Sequence, residues 1–320
     1  MRFHLLAAIA LTAAAAPMAH ADGLPVGNPD TTLTGVSVPG SSARYFAIQS
    51  GRGTVVASVY RDGGLLQANT TLPGSFTIPA VAQDGTTTGL SADGRTLVLV
   101  RPRIAYPQRR TRLAVLDAPS VRVRSTITLR GDFSVDAISP DGRSLYLIHY
   151  TTPSDPLAYE VRSLNLRTHR LDPGEIVDPR ERDEAMHGLP MSRATSPDGR
   201  WAYTLYDGAG KAPFVHALDT TGRTARCIDL PALPAGVDIS GLTLAVRGAQ
   251  LQVRSGKGPV AFIDRRSFAI SRDGPARPAS AAADDAPPDS FPWGLAAVVA
   301  ALGAVAIFAL RRGTRRPFAT

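Results

Sequence analysis

One short peptide recurs three times in this chain and sets the terms on which it can fold. Ser91-Ala92-Asp93-Gly94-Arg95, Ser139-Pro140-Asp141-Gly142-Arg143 and Ser196-Pro197-Asp198-Gly199-Arg200 are each followed by a β-type run, at 96–100, 144–148 and 201–206. Pro or Ala suits the first corner of a type I turn. Asp accepts backbone hydrogen bonds, and Gly takes the positive φ that closes the turn. Each copy therefore predicts a tight turn joining two antiparallel strands. Asp93, Gly94, Asp141, Gly142, Asp198 and Gly199 are its structural residues.

A second strand follows each turn. It reads Arg112-Leu113-Ala114-Val115-Leu116-Asp117, then Val161-Arg162-Ser163-Leu164-Asn165, then Phe214-Val215-His216-Ala217-Leu218-Asp219. The motif aspartates recur 48 and 57 residues apart, and degenerate copies occupy 43–80 and 242–271. No amphipathic helix interrupts the series. A period near 50 with about four short strands per unit predicts an all-β chain folded as a β-propeller. The turn and the hydrophobic strand after it resemble the repeats of bacterial TolB-like and YVTN-type propellers, relatives of the WD-type blade, over about 43–271. The tetrapeptide Tyr-Val-Thr-Asn itself does not occur. The resemblance implies a blade architecture and leaves the chemistry open, because propellers host binders, scaffolds and enzymes alike. The expectation is about five blades. An irregular sixth could be assembled from 22–42 and 166–195, and the rival architecture is a pair of β-sandwiches.

The two ends read differently. Residues 1–21 combine a basic start at Arg2, an apolar run and Ala19-His20-Ala21, which predicts an export signal cleaved between Ala21 and Asp22. Residues 22–41 form a turn-rich lead-in, 42–271 the propeller, and 272–290 a spacer rich in Pro, Ala and Asp. Residues 291–310 lack any charge, and four arginines follow in 311–320. This pattern predicts one membrane-spanning helix with a cytoplasmic basic tail. The expected location is the cell membrane, with the bulk of the chain outside.

The chain has 35 basic and 27 acidic residues. Arg2, Arg311, Arg312, Arg315 and Arg316 account for most of the excess, leaving 30 against 27 between the two ends. That near balance argues against a nucleic-acid partner. The run Gln108-Arg109-Arg110-Thr111-Arg112 reads as a solvated hairpin tip, with contact to an anionic polymer as the other reading.

Few residues announce chemistry. Cys227 is the only cysteine, so the chain holds no internal disulfide, and its alternating surroundings predict a buried strand residue. His149, His169, His187 and His216 show no metal-ligand spacing, and no metal or cofactor is expected. Trp201 and Tyr203 share one strand face and read as packing between blades, with Tyr206 on the other face. Asp178, Glu181, Asp183, Glu184 and His187, with two arginines among them, form a charged insertion that accounts for the longer repeat. Glu181, Asp183, Glu184 and His187 are the candidate binding residues, because loops on rigid scaffolds carry function. Nucleophile-elbow, phosphate-loop and dinucleotide motifs are absent. The expected function is a binding platform for an envelope protein or glycan. The alternatives are a hydrolase- or lactonase-like propeller enzyme and a single-pass sensor component.

Overall fold

The computed structural model describes residues 34–272 apart from 52, 63, 183–185, 231–232 and 234–237. The expected export signal, most of the lead-in and spacer, the membrane helix and the basic tail lie outside these residues. Among the described residues no helix is long and apolar enough to cross a membrane.

The strands form five antiparallel sheets in chain order. The first holds β1 (Ala43–Ser50), β2 (Gly53–Tyr60) and β3 (Leu66–Leu72), with Val36 bridged to Tyr45 at its inner edge. The second holds β4 (Thr96–Val100), β5 (Arg110–Asp117) and β6 (Arg122–Arg130), with Thr77 and Leu90 bridged to β4. The third holds β7 (Asp132–Ile138), β8 (Ser144–Tyr150), β9 (Ala158–Asn165) and, at its outer edge, β10 (Arg170–Leu171) and β11 (Met186–His187). The fourth holds β12 (Pro190–Thr195), β13 (Trp201–Tyr206), β14 (Phe214–Asp219) and β15 (Thr224–Asp229). The fifth holds β16 (Thr243–Arg247), β17 (Gln250–Ser255), β18 (Gly258–Asp264) and β19 (Ile270–Ser271).

Each unit is thus one meandering sheet, as the repeat predicts, and the sandwich alternative does not hold. The expected sixth blade is not formed by the described residues either. Val36 edges the first sheet, and 166–195 is absorbed into the third and fourth as β10, β11 and β12.

Alternation decides how the sheets stack. Tyr45, Ala47 and Val56 of the first sheet bury against Leu97, Leu99, Ala114 and Leu116 of the second. The opposite face of the second, with Val98, Leu113 and Val115, meets Val135, Leu145 and Leu147 of the third. Tyr146, Ile148 and Tyr159 of the third meet Ala202, Tyr206 and Leu218 of the fourth. Tyr203, Val215 and Ala217 then pack on Leu251, Val253 and Ile263 of the fifth. A period-two strand sends its apolar residues to both faces only when both are covered, and these clusters are the covering.

The recurring turns hold one another. Asp93, Asp141 and Asp198 each accept from the serine two residues before and the arginine amide two residues after. Gly142 (φ 66°) and Gly199 (φ 71°) are left-handed and also crowded. A Cβ on Gly142 would overlap the Thr96 hydroxyl, and one on Gly199 would come within 2.5 Å of Ala92 Cβ. The Asp93 amide donates to Pro140 O at 3.0 Å. The turns therefore interlock across sheets, which a single turn read in sequence does not reveal.

Inside, a hairpin over 79–88 (Ala80 paired with Thr87) leaves the second sheet and reaches the fourth. There the Gln83 and Asp84 amides donate to Pro190 O and Met191 O at 2.9 and 3.2 Å. Beneath it, Arg193 of β12 pairs with Asp136 of β7, both almost fully buried. A buried arginine needs such a partner, since an uncompensated charge there is costly.

Candidate functional site

The longer connections lie at the strand ends opposite the Ser-x-Asp-Gly-Arg turns: 101–109, 151–157 and 207–213. The third sheet departs most from the repeat. After β10 the chain runs along the fourth sheet, where Val177 O accepts from the Ala225 amide at 3.3 Å. Asp178, 2% exposed, follows. Its Oδ1 accepts from the Arg180 amide and Nε at 3.0 and 3.2 Å. Its Oδ2 accepts from Arg180 Nη2 at 2.6 Å and from the Cys227 amide at 3.0 Å. Burial pushes this carboxyl up, but Arg180 and the two amides outweigh it and hold it at about 2. The insertion read as a projecting charged loop is therefore docked by its first acid onto β15. Its last two residues return as β11, on the edge of β9.

Between these elements lies a cleft of about 300 Å³. Val177, Met186, Ala212 and Phe214 give it apolar walls, and Glu181, His187, Lys211, Cys227 and Asp229 bring polar groups. His187 Nε2 lies 3.0 Å from Asp155 Oδ2. The Leu157 amide and then His187 hold the Asp155 carboxyl below its usual range. The 207–213 loop is fixed by Asp207, whose Oδ1 accepts from the Leu189 and Ala209 amides at 2.8 and 3.0 Å.

Two of the four expected binding residues, Glu181 and His187, line this cleft, while Asp183 and Glu184 lie outside the described residues. Cys227 is half-buried at the cleft wall, not sealed in a strand core as expected. Lys211, Phe214, Asp229 and Asp155 escaped the sequence reading because they sit on four other connections or strands. One signal was available, since Lys211 is one of only two lysines.

The other expectations resolve into structure. Trp201 stacks on Tyr203 (centroids 6.2 Å apart) and meets Phe268 edge-on at 5.3 Å, between the fourth and fifth sheets. His149 stacks on Phe133 at 4.3 Å, His169 sits in a turn, and His216 is buried. Donor atoms of Asp178, Glu181 and Cys227 do converge within 4.8 Å. A cation there would have to displace Arg180 and the Cys227 amide from Asp178, so the trio is not an open metal cage.

No protein-family model and no curated protein matches the chain. Among solved structures it is similar to an oligogalacturonate lyase in complex with manganese, at 13% identity and TM-score 0.45, covering 74% of this chain and 63% of that one. It is similar to TolB from Acinetobacter baumannii at 15% identity and TM-score 0.40, covering 75% and 55%. For the Dos1 propeller the identity is 10% and the TM-score 0.40, covering 75% and 58%. The chain thus spans less than two thirds of each, and the sheets described above, not these scores, carry the fold.

Proposed function

We propose that this protein is a binding platform at the bacterial cell envelope, held to the membrane by 291–310, with its ligand seated in the cleft between the third and fourth sheets. The observation that carries this reading is the construction of the cleft. It lies at the loop ends of rigid sheets, with apolar walls for packing and Glu181, Lys211 and Asp229 for orientation, the division of labour found in binding sites. Its mixed charge suits a partner segment or sugar with both donors and acceptors. The pair His187–Asp155 favours one second reading, a propeller enzyme on an envelope sugar or lactone, because a carboxylate that orients an imidazole is the arrangement of a general base.

The test is to fill the cleft. Ala212→Trp adds a bulky ring among the walls without touching the sheet hydrogen bonds. Cross-linking of the intact chain in its native membrane should capture a specific envelope protein or glycan that this variant loses. Capture unchanged by Ala212→Trp refutes the cleft as the binding site. Turnover of a sugar or lactone abolished by His187→Gln would establish the enzymatic reading instead.

A further inference from the structure

The near balance of charge along the middle of the chain hides a local excess. On the second sheet, Arg110 of β5 stands directly opposite Arg130 of β6, and Arg112 stands opposite Thr128 on the same face. The Arg101 amide donates to Arg112 O, which continues the β4–β5 ladder and sets Arg101 beside Arg112. All four arginines are exposed, and none forms an ion pair among the described residues. The acids that balance them in the count are spent elsewhere. Asp117 binds Arg124, Asp136 binds Arg193, and Asp132, the nearest acid along the chain, accepts from Arg103 and from the Gln108 amide.

Like charges directly opposite on a sheet oppose folding, so a fold gains nothing from Arg110 facing Arg130. The backbone beside the patch is fixed. Arg103 is locked onto Asp132 and Ser134 and lies over the Tyr150 ring at 5.1 Å, and the Gly131 amide donates to Arg109 O at 2.9 Å. The ladder plants these arginines in two rows, with backbone positions about 5 Å apart across strands and about 7 Å apart along β5, so that their guanidinium groups can reach a ligand with repeated carboxylates.

We propose that the exposed end of this face of the second sheet, beyond the residues that the first sheet covers, binds an acidic polysaccharide, independently of the cleft. A membrane surface fits less well. Tyr106, the aromatic of the adjoining loop, is held inward by its hydroxyl on Thr152 O at 2.9 Å, leaving Ile104 as the exposed apolar residue beside the arginines. Interfacial anchoring uses aromatic rings at the surface.

The experiment titrates the intact chain in detergent micelles with carboxymethyl-dextran and with uncharged dextran of the same length. Binding to the first alone, weakening with salt, is expected. The double variant Arg110→Gln/Arg130→Gln should lose roughly tenfold in affinity, about 1.4 kcal/mol. Arg167→Gln, in an exposed turn of the third sheet, should bind like the parent. The double variant should also unfold no more easily than the parent, because a repulsive pair has been removed. Equal loss in Arg167→Gln, easier unfolding of the double variant, or no binding to carboxymethyl-dextran would each overturn the proposal. So would Arg110-dependent binding confined to phosphatidylglycerol vesicles or to DNA.

Discussion

His216 makes the acid stability of this protein predictable. It lies on β14 between Thr204 and Cys227, 1% exposed, with Nε2 buried and unpartnered. Burial pushes its pKa down to about 4. Asp136 and Asp178 pull the other way, and Arg193 adds to the fall. In the unfolded chain a histidine titrates near 6.5. Between these values the unfolded state holds a proton that the native state does not, so stability declines as pH falls from about 6.5 to 4 and is flat above. The full drop is about 3 kcal/mol at 1.36 kcal/mol per unit. With a slope of about 2–3 kcal/mol per molar urea, the unfolding midpoint should fall by about 1 M. Urea titrations followed by tryptophan fluorescence at pH 7.0, 5.5 and 4.5 would measure this. His216→Leu removes the titrating group at a site that lacks a partner for it, so its midpoint should stay nearly level over the same range. A variant midpoint falling as steeply as the parent's would refute the argument, as would a level parent.

Three further outcomes follow from the geometry. Gly199→Ala should cost about 2 kcal/mol or more, from the left-handed φ and the close approach to Ala92, while Gly94→Ala, with φ 68° and open space, should cost only about 1. Differential scanning calorimetry of the two variants would separate them, and equal losses would dissolve the interlocked-turn account. Asp178→Asn removes a carboxylate held at about 2 against 3.8 unfolded, so the parent gains about 2 kcal/mol above pH 4 that is lost as pH falls through 2. The variant should lack that gain at neutral pH, as read by urea midpoints. Arg193→Leu leaves Asp136 buried and unpaired and should destabilise by about 3–5 kcal/mol, whereas Arg193→Leu/Asp136→Leu should recover much of the loss.

The fold was legible because its cause is local and repeated. Ser-x-Asp-Gly-Arg carries its own hydrogen bonds within five residues, and the strands after it are short apolar runs buried on both faces. A short apolar run bounded by a turn needs no partner to be recognised. What stacks on what was not legible in the same way. Gly142 meets Thr96 and Gly199 meets Ala92, contacts that cross from one sheet to the next and leave no trace in either local sequence. The hairpin at 79–88 was missed for a related reason. Its short edge pairs with Pro190 and Met191, more than a hundred residues away.

The candidate site shows where such reading stops. The 57-residue spacing flagged the insertion, and Glu181 and His187 were found through it. The cleft they line also needs Lys211 and Phe214 from the fourth sheet, placed by Asp207 and by the docking of Asp178 on β15. Charge is subject to the same limit. A sum of 30 against 27 describes a chain with no excess to offer, yet geometry removes Asp117, Asp132 and Asp136 into pairs and leaves Arg101, Arg110, Arg112 and Arg130 together on one face. In a repeat fold the periodic positions are committed to holding the sheets. Function is to be sought where the period breaks and where charges that balance in the sequence are separated in space.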